Sequence, residues 1–245
     1  MDAVVQKSAW WSQAVLIGAV VAAVMLPLGA LGSRMGLWGF STGFLFLGGA
    51  ALLSVMGVIL GLVGFFLSRK PGASSNRMPL MIGTVVCAAI LAMLGAQFNT
   101  ARTVPAIHNI STDTIEPPQF DVVVALRGED SNPLTYDAET LAPLQRSAYP
   151  WVVPLELPGA PDVVFDAALE VLSKQGLEIV NADRDTGTIE AVATTFWFGF
   201  KDDVVVRVRP LGSGARVDVR SVSRVGQSDL GANAARIGAI LDGLR

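Results

Sequence analysis

The chain has very few of the residues on which metal sites, disulfides and nucleophilic catalysis depend. Its 245 residues include one cysteine, Cys87, and one histidine, His108. A lone cysteine excludes an intramolecular disulfide, and Cys87 lies in an apolar run where a small buried side chain is its expected role. A metal bound at His108 would need acidic partners such as Asp113, and we expect neither a metal nor another cofactor.

Sequence motifs of the common enzyme classes are also missing. The chain contains no CxxC and no HExxH, and GQSDLG (226–231) does not match the GxSxG nucleophile elbow. With a single distant histidine, no Ser/His/Asp set is in sight. These absences favour a non-enzymatic role.

Charged residues are scarce and unevenly distributed. They make up 16% of the chain, and the net charge is +4 over residues 1–100 and −7 over residues 101–245. Nucleic acid needs basic partners for its phosphates, so the acidic C-terminal part argues against it as a ligand.

Three long uncharged runs explain why 51% of the residues are hydrophobic. Each supplies the ~20 apolar residues that a helix needs to cross a bilayer. We predict an all-α transmembrane region over residues 1–101, with helices at about 14–31, 42–67 and 80–96. A cleaved signal peptide is the alternative for the first run, but its apolar core is longer than such peptides carry. Gly57 and Gly61 form a GxxxG pattern, which reflects either close helix packing or chance in a glycine-rich helix.

Positive charges beside the predicted helices indicate their orientation. The loop after the second helix carries Arg69, Lys70 and Arg77, whereas the first loop and the start of the C-terminal part carry only Arg34 and Arg102. The positive-inside rule then places the N-terminus in the cytoplasm. Three crossings leave residues 102–245 on the other side, which is the periplasm in a cell that has one.

Residues 102–160 differ in composition from the rest. Nine of the thirteen prolines fall in residues 102–161, so we expect an extended strap with a short strand at FDVVVAL (120–126). A flexible linker is the alternative, but this segment is more apolar than linkers usually are.

Residues 161–245 are predicted to form an α+β domain. A helix begins near Pro161, four strands follow, and a second helix runs to the C-terminus with Leu230, Ile237 and Leu241 packed on the sheet. The order α-β-β-β-β-α indicates an antiparallel sheet with helices on one face. DRDTG (183–187) is read as a hairpin turn rather than the start of a calcium loop.

The hairpin at 204–225 has a predicted register. Alternation on both sides of a Gly-Ser-Gly turn pairs Val208 with Val217 and Arg207 with Asp218. One face of this hairpin should be buried and the other charged.

Five segments of this region resemble one known family. They are IHNISTDTIEPPQF (107–120), SAYPWVVPLEL (147–157), DRDTGTIEA (183–191), WFGFKDDVVVRVRP (197–210) and RVDVRSVSRVGQSDLGANAARI (216–237). They look like the DUF1499 family, a bacterial and plastid domain of unknown function. An acidic residue often follows the Tyr-Pro pair in that family, where this chain has Trp151. The resemblance implies a fold and an envelope location, hence the bacterial inner membrane, but no activity.

Two groups of side chains are candidate contact sites. Polar residues around the last strand could bind an anion or a partner, or else pair with local acids. They are Arg220, Ser221, Ser223, Arg224, Ser228, Asp229, Asn233 and Arg236. Aromatic residues before it either enter the core or form a lip that touches lipid, a ligand or a protein. They are Phe196, Trp197, Phe198 and Phe200.

Three functional hypotheses are compatible with this sequence. The first is a membrane-anchored, periplasm-facing binding or scaffold module that assists a membrane complex. The second is a protein that handles lipid or another amphiphile through the aromatic and arginine groups. The third and weakest is a hydrolase built from the Asp/Ser/Arg cluster.

Overall fold

The computed structural model describes residues 10–68 and 77–245. The described chain forms two compact units. The first extends to Asn99 and includes Trp197–Gly199, and the second comprises Thr100–Phe196 and Phe200–Arg245. The predicted loop charges Arg69 and Lys70 lie outside the described residues.

Three helices, α1 (Trp10–Arg34), α2 (Phe40–Leu67) and α3 (Arg77–Thr103), contain the predicted spans. Each is long and apolar enough to cross a membrane, which confirms the prediction of a three-helix apolar region. The GxxxG glycines of α2 face α3 closely. A Cβ atom would lie 2.4 Å from Cys87 Sγ at Gly57 and 1.9 Å from Thr84 Oγ1 at Gly61, which favours packing over chance.

The second unit is an antiparallel sheet with helices. Its elements are β1 (Asn109–Ser111), a 3₁₀ helix (Val122–Leu126), α4 (Ala138–Ala148), β2 (Leu155–Pro158), α5 (Pro161–Lys174), β3 (Glu178–Asp183), β4 (Thr188–Thr194), β5 (Lys201–Leu211), β6 (Gly214–Ser223) and α6 (Ala232–Gly243). The strand order is β1-β6-β5-β4-β3, and β2 also pairs with β6. The α+β class and the hairpin register are confirmed, with Val208 opposite Val217 and Arg207 opposite Asp218.

The proline-rich segment is more regular than predicted. It contains strands β1 and β2, which pair with β6 along the edge that does not face β5. The sheet therefore has six strands instead of four. The expected strand at 120–126 is wrong, since Val122–Leu126 is a 3₁₀ helix. The extended conformation is also interrupted by α4, whose first turn is capped because the Asp137 side chain accepts from Thr140 N. Pro143 lies within α4, where it removes one hydrogen bond without ending so short a helix.

Strand β4 ends just before the aromatic residues 196–200. Its last residue is Thr194, because Thr195 closes a turn on Phe200. Thr195 N donates to Phe200 O at 2.8 Å, and Phe200 N donates to Thr195 Oγ at 2.9 Å. Gly199 supplies the positive φ of +69° that this turn needs.

The core lies between one face of the sheet and helices α5 and α6. Alternate residues of β5 and β6, such as Val206 and Val219, meet Phe165 and Leu172 from α5 and Ile237 from α6. The sequence predicts this core, because apolar residues recur with a period of 2 in the strands and of 3.6 in the helices.

The opposite face of the sheet is charged, as predicted, but it is not exposed. Asp203 and Asp218 are fully buried and Arg220 is 1% exposed. The coil of residues 112–136 and its 3₁₀ helix cover this face, since Arg220 donates to Pro118 O and to Leu134 O.

Candidate functional site

The predicted polar set is divided between the two faces of β6. Side chains alternate along a strand, so Arg220 and Arg224 lie on the face covered by residues 112–136. Ser221 and Ser223 lie on the face of α6 and contact Asn233 there. The structure therefore brings together two separate groups rather than one anion site.

Arg220 is the centre of the first group. Its Nε donates to Asn109 Oδ1 at 3.1 Å, its Nη1 to Pro118 O at 3.0 Å, and its Nη2 to Leu134 O. The rings of Phe120 and Tyr136 lie 5.2 and 5.7 Å from the guanidinium carbon. Burial among these neutral groups lowers the pKa of Arg220 to about 10, which leaves it charged at neutral pH. Burial also raises the pKa of Tyr136 to about 12.

Arg224, the second arginine of this face, is paired internally. Its Nη2 lies 2.7 Å from Asp203 Oδ1, and its Nη1 donates to Leu126 O at 2.8 Å. Arg127, from the end of the 3₁₀ helix, pairs with the same carboxylate. One buried acid thus joins two arginines and holds the covering segment on the sheet.

On the α6 side, Asn233 is the hub of a buried polar network. Its amide nitrogen donates to Ser223 Oγ at 2.9 Å and to His108 O at 3.0 Å. Its oxygen accepts from Ser221 Oγ and from Arg236 Nη1, both at 2.6 Å. Arg236 also donates to Asp202 Oδ2 at 2.6 Å.

Asp229 positions the start of α6. Its two carboxylate oxygens accept from Gly231 N at 2.8 Å and from Asn233 N at 2.9 Å. Burial raises the pKa of this carboxyl despite those hydrogen bonds. Ser228 Oγ accepts from Leu230 N at 3.3 Å. The predicted packing of Leu230 is wrong: its φ of +55° turns it away before α6 begins, and it is 43% exposed.

A third ionic cluster, centred on two aspartates, was only half predicted. Asp218 Oδ2 lies 2.9 Å from both Arg207 and Arg209, and Arg216 bridges Asp218 to Asp113. Strand register predicted the pair of Arg207 with Asp218, but nothing local indicated Asp113, which is far away in sequence. Burial would raise the pKa of Asp113, yet hydrogen bonds from Glu116 and Ile115 N and the charges of Arg216 and Arg207 lower it overall.

The buried carboxylate of Glu190 was also missed by the sequence reasoning. It accepts from the backbone N–H groups of Asp121 and Val122, both at 2.8 Å, and from Asn181 Nδ2 at 3.1 Å. Glu190, a residue of β4, therefore caps the 3₁₀ helix, because its carboxylate accepts from the free N–H groups at the N-terminus of that helix.

The predicted aromatic lip lies in the turn between β4 and β5. Phe196 is 69% exposed and Trp197 56% exposed, while Phe198 and Phe200 are half-buried. Phe196 and Trp197 are too exposed to belong to the buried core between the sheet and its helices, so the four rings do not all enter it.

An open groove follows the outer side of α6. It has a volume of about 540 Å³, and its lining consists of Trp151, Ala235, Gly238, Ala239, Leu241, Asp242 and Arg245. The Trp151 ring lies against α6 at Gly238, where a Cβ atom would be 2.9 Å from it. Sequence reasoning noted Trp151 only as a departure from the family pattern, and its position on the helix could not be read from local spacing.

No cluster of three or more histidine, cysteine or acidic side chains suited to a metal occurs within residues 10–68 and 77–245. His108 instead points to the backbone, with Nδ1 3.4 Å from Gln227 O.

Three apolar helices followed by an open antiparallel α+β domain define a class of membrane protein with a C-terminal sheet domain. Within that class, the chain belongs to the family described as "Protein of unknown function (DUF1499)", whose model matches residues 109–244. No curated protein matched the chain.

Proposed function

We propose that this protein is a membrane-anchored binding module of the bacterial inner membrane, with its sheet domain in the periplasm. Its task is to hold a partner protein of a membrane complex. The orientation is supported by Arg77 at the start of α3, which belongs with Arg69 and Lys70 to the more basic loop.

The groove beside α6 is the observation that carries this proposal. The arginines of the predicted polar set and of the Asp218 cluster are held by oxygens of the domain itself, so we look for recognition at another surface. The groove offers Trp151, 48% exposed, beside the small side chains of Ala235 and Ala239. A half-exposed tryptophan over a helix with small residues is an anchor of the kind that protein interfaces favour.

Handling of a lipid or another amphiphile is the second candidate function. The groove volume of about 540 Å³ falls in the range of small-molecule sites. Apolar Trp151 and Leu241 line it together with the charged Asp242 and Arg245, a combination that suits a molecule with one polar end.

Photo-crosslinking in intact cells tests the two candidates. A photoreactive residue at Ala239, which lines the groove, is compared with one at Gln175, an exposed position just after α5. We expect one protein adduct that forms only at Ala239 and is lost in Trp151→Ala. A lipid adduct at Ala239, identified by mass spectrometry, would favour the amphiphile candidate. Equal adducts at both positions, or none, would contradict binding in this groove.

A further inference from the structure

The two edges of the sheet differ in how they are protected. At one edge, the amide of the buried Gln145 closes the outer side of β1, because its Oε1 accepts from Ser111 N at 3.0 Å and its Nε2 donates to Ser111 O at 2.7 Å. Strand β2, on the same side of the sheet, has only four residues and ends at Pro158, which has no N–H group. Both features hinder pairing with a further strand.

Strand β3, at the other edge of the sheet, keeps an open outer side in the described part of the chain. It has six residues, and within residues 10–68 and 77–245 it pairs only with β4. The N–H and C=O groups on its outer side therefore have no strand partner there. Such a row of backbone groups is a template for an added strand, and the outer side of β3 accommodates a segment of roughly six residues.

A second copy of the chain is a poor match for this edge. Antiparallel pairing of two copies of β3 about their centre would place Glu178 opposite Asp183, and like charges in opposed positions destabilise a strand pair. The register between β3 and β4 also shifts between Ile179 and Asn181. Such an irregularity bends and twists a strand, which hinders flat association with an identical edge.

The segment that contains β3 is strongly acidic. Residues 161–187 carry six acidic and two basic residues, a net charge of −4. Both basic residues pair with acids of the same segment, Lys174 with Glu170 and Arg184 with Asp166. The remaining acids have no ion pair within the described residues. They are Asp162, Glu178, Asp183 and Asp185.

Side chains on both faces of the sheet border the open edge. On the α5 face, Ile179 packs against the core, and Asp166 pairs with Arg184, the residue that follows β3. Strand alternation places Glu178 on the opposite face, where the 3₁₀ helix contacts β3 and exposes Val122 by 40%. An added strand would therefore meet acidic and aliphatic side chains on both of its faces.

We propose that the open edge of β3 is a second recognition surface, which binds an extended segment of a partner protein that carries lysine or arginine side chains. The segment joins the sheet as an added strand. Backbone hydrogen bonds supply affinity, while the acids favour cationic residues and disfavour a second copy of β3. This surface shares no residue with the α6 groove, so failure of one proposal leaves the other standing.

Amide hydrogen exchange of the full chain in dodecyl maltoside, an uncharged detergent, tests this contact. The probe is a synthetic seven-residue peptide of alternating lysine and valine. We expect it to slow the exchange of residues 178–183 about threefold or more, because an added strand hydrogen-bonds to the outer amides of β3. Two control peptides should give no protection: one has glutamate in place of lysine, and the other is N-methylated throughout and has no backbone donors.

A pair of charge reversals tests the role of the acids. Glu178→Lys should weaken binding of the labelled lysine peptide about fivefold in fluorescence anisotropy, since an attraction becomes a repulsion. Glu129→Lys is the matched control, because Glu129 is exposed and belongs to neither β3 nor α5. Near-ultraviolet circular dichroism of each variant confirms its fold.

Three results would overturn the proposal. The first is the absence of protection in β3 at 1 mM lysine peptide, and the second is equal protection by either control peptide. The third is an equal loss of affinity in the two variants, which would show that only the net charge of the protein matters. The comparison of peptides uses the parent chain alone, so a folding defect in a variant does not decide the result.

Discussion

Arg220 shows how a single residue fastens the covering segment, residues 112–136, to the face of the sheet opposite α5 and α6. It is 1% exposed, and its guanidinium meets three oxygens from residues 109, 118 and 134. Loss of the guanidinium would leave these three buried oxygens without hydrogen-bond donors. Each unsatisfied acceptor would then destabilise the folded state by its full desolvation cost.

Arg220→Ala should therefore lower the free energy of unfolding by about 3 kcal/mol or more. Urea unfolding of the full chain in mild detergent measures it. Arg245→Ala is the control, since its ion pair with Asp242 is exposed and such pairs contribute little. If the two variants lose equal stability, Arg220 does not hold the covering segment, and its role as a ligand group gains support.

Asp113 makes stability depend on pH. Its folded pKa is lowered, so its contribution is complete above the unfolded pKa of about 4 and is lost as the pH falls through the folded value. Asp113→Asn keeps an oxygen for Ile115 and Glu116 N but removes the charge that faces Arg216. We expect the stability gap between parent and variant to be widest near neutral pH and to shrink below about pH 4. A gap that stays constant over this range would show that the charge is not what matters.

At the scale of single elements, substitution of two turn glycines distinguishes the cost of backbone strain from the cost of steric overlap. Gly187 and Gly212 both have positive φ, +68° and +56°. A Cβ atom at Gly187 would lie 2.2 Å from Val208 O, whereas nothing lies within 4 Å at Gly212. Gly187→Ala should cost about 2 kcal/mol more than Gly212→Ala, because only it must also move the β5 backbone. Thermal unfolding of the two variants measures the difference in stability. Equal losses would show that the positive φ, and not the contact with Val208 O, causes the destabilisation.

The α2 helix, in the first compact unit, offers a similar pair of substitutions. Gly61→Ala would push against Thr84, while Gly48 has open space around its Cα. We expect Gly61→Ala to destabilise the helix unit by about 1–2 kcal/mol and Gly48→Ala to be neutral. Unfolding of the full chain by added SDS, followed by far-ultraviolet circular dichroism, reports the difference. Neutrality of Gly61→Ala would show that α2 and α3 do not rely on close approach there.

How far each element could be predicted depends on where its partners lie in sequence. The β5–β6 hairpin and α5 are local, so period and turn residues were enough to predict Arg207 opposite Asp218. The 3₁₀ helix was read as a strand because valines favour strands, whereas its conformation is fixed by Glu190, a cap supplied from another element. The split of the predicted anion set between two faces followed from alternation alone, but which face was covered depended on residues 112–136.

At the scale of the whole molecule, the proposed orientation can be measured directly. In the Cys87→Ala background, a cysteine at Gln175 should react with a membrane-impermeant maleimide in intact spheroplasts. A cysteine at Ser74, between the second and third helices, should react only after lysis, because the proposed orientation keeps this basic segment in the cytoplasm. The reverse labelling pattern would reject the periplasmic placement and leave the family membership untouched.

Strand β6 is the last strand to be synthesised, yet it pairs with β1, β2 and β5. Asn109 is synthesised more than a hundred residues before its partner Val222, so neither β1 nor β2 has a sheet partner until β6 has emerged. Contacts of such sequence separation form late and slowly. The sheet must therefore remain incomplete during synthesis, which exposes the edges of its earlier strands to aggregation or proteolysis until β6 has emerged.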